Sequence, residues 1–352
     1  MNTNTTSEST EVYLFGYIEY ENIFCAILLF IVCLLGVFFN LFPALILLHL
    51  PVFRNAYGYL AAFHAICNIG ILIPFVILAA PTIYFEIHSN FQYLNHVAGQ
   101  VSMFFYMGCL HSALFISINR LIAISMAFYY KEYFTPRNTK YLIIAINVIN
   151  FLYFCIYFFD GCDFHFDRST MIWIFSQQPC GKFLNDVIDL YYCVGVFVFA
   201  GCLDLITLIQ LNSFNRKFAN AQSQISQNRN TTSKGQRQEI VFFAQSCVNT
   251  SMYLFLIICF HVISTFDRIA SNRFNLFLAT TFIWGATHAI SGLILIAFNR
   301  EMRKIILHPS RAIQASSLSK WVNNSEQKQL ATTIHISEFD NSRNRIRSIT
   351  LT

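Results

Sequence analysis

Apolar residues along the chain collect into seven long runs, each closed by a cluster of polar or charged positions. The runs read as Ile23–Leu48, Gly58–Tyr84, Ala98–Ser125, Tyr141–Asp160, Phe183–Leu211, Ile240–Thr265 and Asn275–Asn299. Each has about 20 residues or more, the length a helix needs to cross roughly 30 Å of hydrocarbon. One such run could be a buried core helix, but seven in series with charged connectors predict a polytopic all-α bundle. The predicted organisation is an outer segment over 1–22, a seven-helix bundle over 23–299, a short amphipathic helix over 300–308 and a disordered inner tail over 309–352.

Charge sets the orientation. Of the 23 Lys and Arg, only Arg168, Lys182, Arg268 and Arg273 fall on one side of the predicted membrane; the other 19 fall on the opposite side. Inner connectors carry the basic excess, so the N-terminus faces out and the C-terminus faces in. The net charge of +5 therefore reflects topology. No stretch outside the spans could present a basic face to nucleic acid, and none is expected as a partner. Composition agrees: charged residues make up 12% of the chain, against about 25% in a soluble domain. The outer segment carries Glu8, Glu11, Glu19 and Glu21 and no Lys or Arg. It lacks the basic start of a cleavable signal, so the first span is expected to act as an uncleaved anchor. Asn4-Thr5-Thr6 is a glycosylation sequon on the outer side.

Most of the eleven cysteines lie within spans, where a thiol packs as a small hydrophobe. Cys162 and Cys180 fall instead in the outer connector between the fourth and fifth spans, where disulfides persist. A bridge between them would restrict a loop of roughly 19 residues by about 3 kcal/mol. The alternatives are two free thiols, or pairing of one with Cys25 or Cys193. Cys109/His111 and Cys259/His261 lack further ligands nearby, so no metal site or other cofactor is expected. No catalytic constellation is legible, and no enzyme is expected. Internal repeats and filter loops, the marks of transporters and channels, are also missing.

The inner end of the third span carries Ser117-Ile118-Asn119-Arg120-Leu121-Ile122-Ala123-Ile124, followed by Phe128-Tyr129-Tyr130. This resembles the acid-Arg-aromatic motif of rhodopsin-like G-protein-coupled receptors, with Asn119 in place of the acid. Asn68 stands where that family has a sodium-binding Asp, and Ser291-Gly292 occupies the Asn-Pro place of the seventh span. These departures, with Gly36-x-x-x-Asn40, Asp204-Leu-Ile-Thr207, the connector bearing Cys162, Asp167, Trp173, Phe175 and Cys180, and Phe298-Asn299-Arg300-Glu301-Met302-Arg303, are similar to nematode serpentine chemoreceptors of class X. The resemblance spans about residues 25–307. It implies detection of an external small molecule, signalling through a heterotrimeric G protein, and residence in the plasma membrane of a sensory (ciliary) ending. A channel or transporter on the same bundle, or a receptor-like protein without coupling, is the alternative.

Arg120, at the inner boundary, can snorkel to water and is the expected switch. Asn119 beside it is neutral, so Glu239, at the start of the sixth span, is the expected partner in a lock. Tyr130 belongs to the same motif. Asp204 lies deep in the fifth span, where a bare carboxylate is costly; it needs a proton or a polar partner such as Asn119 or Asn249. Toward the outside, Gln100, Tyr106, Asp189, Tyr192, His261, Trp284 and His288 are polar or amphipathic positions within apolar spans, the default lining of a ligand pocket.

Overall fold

The computed structural model describes residues 5–85, 92–222 and 229–307, with side chains described from residue 19 onward except at 52, 127, 214–243 and 301. The sequon at Asn4 and the tail from His308 onward lie outside the described residues. Seven helices are long and apolar enough to span a bilayer: α1 (Glu19–His49), α2 (Ala56–Tyr84), α3 (Gln92–Ser125), α4 (Pro136–Ile156), α5 (Pro179–Ser213), α6 (Ala244–Thr265) and α7 (Arg273–Phe298). Helical backbone precedes α1 from Thr5. It also continues past α5 to Gln222 and resumes at Arg229 before α6. The connector between α5 and α6 is thus helical on both sides of 223–228, since adding residues to an existing helix costs little once its first turn is formed. A separate eight-residue helix, α8 (Arg300–Leu307), sets Ile305 and Ile306 among Arg300, Arg303 and Lys304.

The helix ends follow local chemistry. Asn55 caps α2 by accepting from the Gly58 amide at 2.9 Å. Thr135 caps α4 by accepting from the Asn138 amide at 3.1 Å, with Pro136 at the first helical position, where its missing N–H costs nothing. That start, and the turn after Ile156, place α4 a few residues earlier than its apolar run predicts. At its other boundary α3 is longer than predicted, because Asn95 and His96 extend it above the apolar zone.

Three of the spanning helices contain π-helical turns: Phe75–Ala79 directly after Pro74, Leu184–Tyr192 in α5, and Leu278–Phe282 in α7. Proline removes a backbone donor and crowds the preceding turn, which accounts for the first. The other two lie at the outer ends of the helices that frame the site.

One element departs from the all-α expectation. The connector after α4 folds into an antiparallel hairpin of β1 (Phe164–Asp167) and β2 (Ile172–Phe175), with Phe164 opposite Phe175 and Phe166 opposite Trp173. Its alternate residues Phe164, Phe166, Trp173 and Phe175 are buried, the period-two signature of a strand with one face on a core. Cys162 and Cys180 are bonded to each other, with Cα atoms 4.9 Å apart, across the base of the hairpin. Asp167 holds the turn: its carboxylate accepts from the amides and hydroxyls of both Ser169 and Thr170. Burial alone would raise the pKa of this carboxyl, but those bonds outweigh it and hold the group below its ordinary value.

The hairpin rests on the bundle. Asn95 of α3 donates to the Phe166 carbonyl at 2.8 Å and accepts from the Phe166 amide at 3.0 Å, acting as a third strand edge. Arg273 of α7 donates to Asn22 at 2.7 Å and to the Arg168 carbonyl at 2.8 Å. Thr281 donates to the Met171 carbonyl at 2.8 Å. Below, α2 packs against α1, α3 and α7.

Candidate functional site

Beneath the hairpin lies a chamber walled by Met103 and Tyr106 of α3, Leu256, Ile257, Phe260 and His261 of α6, Asp189 of α5 and Trp284 of α7, with Phe164 as its roof. Its free space is about 20 Å³ for solvent centres, enough for one water. Asp189 Oδ2 and His261 Nε2 lie 3.0 Å apart, joining α5 to α6 as an acid–imidazole pair in a wall otherwise of aromatic and aliphatic side chains. An aromatic column runs down from the roof. Trp173 meets Phe75 at 5.4 Å, Phe75 meets Trp284 edge-on at 5.1 Å, and Trp284 meets Tyr106 edge-on at 6.0 Å.

Of the seven predicted pocket residues, four meet here: Tyr106, Asp189, His261 and Trp284. The structure places the other three elsewhere. Gln100 donates to the Tyr157 carbonyl at 2.9 Å, on the side toward α4. Tyr192 turns outward and pairs its hydroxyl with His111 Nε2 at 2.7 Å. It would share a face with Asp189 on an α-helix, but both sit in the π-helical stretch, whose i→i+5 bonding breaks that register. His288 lies one turn deeper than Trp284 and belongs to a second cluster.

That cluster is a hub around Asn68. Asn68 donates to Asn40 at 3.0 Å and to Ser291 at 3.2 Å, and its carbonyl oxygen accepts from His288 Nδ1 at 2.7 Å and from the Tyr253 hydroxyl at 3.2 Å. His64 closes it, 2.8 Å from Ser112 and 3.1 Å from Tyr253. Trp284 Nε1 lies 3.0 Å from His288 Nε2. An indole N–H can only donate, so Nε2 accepts and His288 is the neutral Nδ1–H form. Asn40 also donates to the carbonyls of Gly36 and His288. Gly36 permits this approach, since a Cβ there would meet Ala289 at 2.5 Å. The motif Gly36-x-x-x-Asn40 thus joins α1 to α7. An Asp at position 68 would lose the two donated bonds, which is why the amide fits.

Toward the inner end, Arg120 is buried at 7% exposure. Its Nη2 donates to the Tyr57 hydroxyl at 3.4 Å and its guanidinium carbon lies 5.2 Å from the Tyr57 ring centre. Tyr57 in turn donates to Gln245 of α6 at 3.1 Å. A relay therefore joins α3 to α6 through α2. Among the described residues, Arg120 Nε and its other terminal nitrogen find no acceptor. They border a polar cavity, lined also by His64, Asn68, Gln245, Asn249 and Ser291, with about 30 Å³ for solvent centres.

The expected Arg120 lock to Glu239 involves a side chain outside the described residues. Asn119 donates to the Tyr130 hydroxyl at 3.5 Å, so those two residues of the motif meet. Asp204 is fully buried and lies 3.5 Å from the Thr250 hydroxyl, within electrostatic reach of Arg120. The polar partner described for it is thus Thr250 of α6. Tyr57 and Gln245 escaped the sequence reading altogether, because a tyrosine at a helix start reads as an interface anchor.

Comparisons with known proteins bear on this geometry. Residues 30–299 match the family of serpentine type 7TM GPCR chemoreceptors Srx. Serpentine receptor class X 45 of Caenorhabditis elegans is 26% identical over 311 residues, covering 84% of this chain and 84% of the relative. Squid rhodopsin superposes with a TM-score of 0.70 over 85% of this chain and 88% of its own, at 12% identity. The last is a likeness of fold.

Proposed function

We infer that the chain, which belongs to the Srx family of serpentine seven-transmembrane chemoreceptors, senses a small external molecule in the chamber under the hairpin and reports it at Arg120. The family and the rhodopsin-like fold make it a chemosensory G-protein-coupled receptor, a multi-pass membrane protein of a receptor family and not of an enzyme family. The finer reading is ours. Its ligand is a compact, mostly apolar molecule with one hydrogen-bonding group, and its place is the plasma membrane of a sensory ending.

The Asp189–His261 contact carries the reading, because it ties α5 to α6 at the outer end while Tyr57–Gln245 ties α6 at the inner end. A ligand that takes over one partner of the outer pair changes how α6 sits. Such a ligand acts by binding one helix arrangement better than the other. The small free volume means that it must displace side chains of the lining.

The test is a second-messenger assay in cells expressing the chain, with panels of small organic molecules applied outside. For an active compound, Asp189→Asn should raise the half-maximal concentration by about ten- to a hundredfold, the value of a hydrogen bond to a charged group. Arg120→Ala should abolish the response at equal surface expression. A response indifferent to both, or ligand-evoked current persisting without G protein, would overturn the reading in favour of a channel.

A further inference from the structure

Three side chains on the outer face converge at a point the chamber does not use. His96 lies near the start of α3, Asp163 follows the bridged Cys162, and His165 is the second residue of β1. Asp163 Oδ2 lies 3.3 Å from His96 Nδ1 and 3.1 Å from His165 Nδ1. All three ligating atoms fall within 4.8 Å of one another, and the side chains keep 26%, 28% and 28% of their surface exposed. The imidazole rings are 4.8 Å apart at their centres.

A hydrogen-bonded pair needs one imidazole on the carboxylate. Here one oxygen faces two, each through the same ring nitrogen. Around a tetrahedral ion with bonds of about 2.0–2.1 Å, neighbouring donor atoms are about 3.3 Å apart. The two Asp163 separations already have that length, and the imidazoles need only swing toward each other. Two nitrogens and one oxygen suit zinc, whereas calcium and magnesium take oxygen alone. Three protein ligands leave a fourth position for water.

We propose that His96, Asp163 and His165 form a binding site for a divalent transition metal of the zinc class that cross-links α3 to the hairpin. Asp163 and His165 flank Phe164, the roof of the chamber, so the ion fixes the roof to α3 and restrains its opening. The three ligands come from two elements widely separated in sequence, which is why no metal spacing was legible. The site does not depend on coupling to any G protein.

The purified full chain in detergent is titrated with Zn²⁺ and followed by calorimetry and thermal unfolding. One equivalent should bind in the micromolar range and raise the melting temperature. His96→Ala, His165→Ala and Asp163→Asn should each weaken binding by about tenfold or more, at least the loss seen when a supporting residue of a metal site is removed, while His49→Ala leaves it unchanged. In case a substitution prevents folding, Co²⁺ added to the unsubstituted chain should give the visible ligand-field band of a tetrahedral site, displaced by Zn²⁺. No binding by the unsubstituted chain, or binding that all three substitutions leave intact, would overturn the proposal.

Discussion

Replacing Tyr57 by Phe removes one oxygen and two hydrogen bonds while leaving the ring under the Arg120 guanidinium. The lost bonds are Arg120 Nη2 to the hydroxyl at 3.4 Å and the hydroxyl to Gln245 at 3.1 Å. Both are long, so each contributes near the lower end of the usual range, for a total of about 1–2 kcal/mol. The cation–π contact at 5.2 Å, about 0.5–1 kcal/mol, persists in the Phe variant and is lost in Tyr57→Ala. If the relay holds the inner end closed, Tyr57→Phe shifts the resting equilibrium about 5- to 30-fold toward the open form. A receptor about 1% active at rest would become roughly 5–25% active. The assay is ligand-free second-messenger output, normalised to surface receptor number, with Arg120→Ala as the silent reference. Tyr57→Ala should exceed Tyr57→Phe, and Gln245→Leu should add little to Tyr57→Phe, because both cut the same link. Resting output that stays at the unsubstituted level in Tyr57→Phe, or two full and additive effects in the double variant, would refute the relay.

Two further outcomes follow from the hairpin. Gly99→Ala sets a Cβ 2.0 Å from the Phe164 carbonyl, whereas a Cβ at Gly195 meets nothing within 4 Å. Thermal unfolding in detergent should show a loss of about 1–3 kcal/mol for the first and no loss for Gly195→Ala. Because the Asp167 pKa is lower folded than unfolded, its stabilisation is present above the ordinary carboxylate pKa and lost as pH falls through the folded value. Melting temperature against pH should therefore fall at the acid end more steeply for the unsubstituted chain than for Asp167→Asn; parallel curves would count against the turn.

Where the chemistry of a run is repeated over many residues, the sequence speaks plainly. Seven apolar stretches give seven helices within a few residues, and the two outer cysteines give the bridge. The hairpin was harder, although Phe164, Phe166, Trp173 and Phe175 alternate, because strands of four residues leave little periodicity to read. Pairing across helices was legible least. Asn119 and Tyr130 are close in sequence and their side chains meet, whereas only charge points from Arg120 to Glu239, whose side chain lies outside the described residues. The acceptor that the described residues supply is a phenol on α2, a position fixed by how α2 and α3 pack. Likewise Tyr192 faces His111 and not Asp189 because both sit in a π-helical stretch, which residue spacing does not reveal.

The hub around Asn68 has an electrical consequence. His288 is held neutral by its donor and acceptor partners, Asn68 is an uncharged amide, and none of the hydrogen-bond partners of His64 described above is a carboxylate. Across a membrane potential, each elementary charge carried through the field is worth about 2.3 kcal/mol per 100 mV. Rearranging amides, hydroxyls and a neutral imidazole carries no such charge. Depolarisation therefore does no work on a rearrangement confined to this hub, and any charge carried through the field would have to come from groups outside it, such as Arg120 at the adjoining cavity.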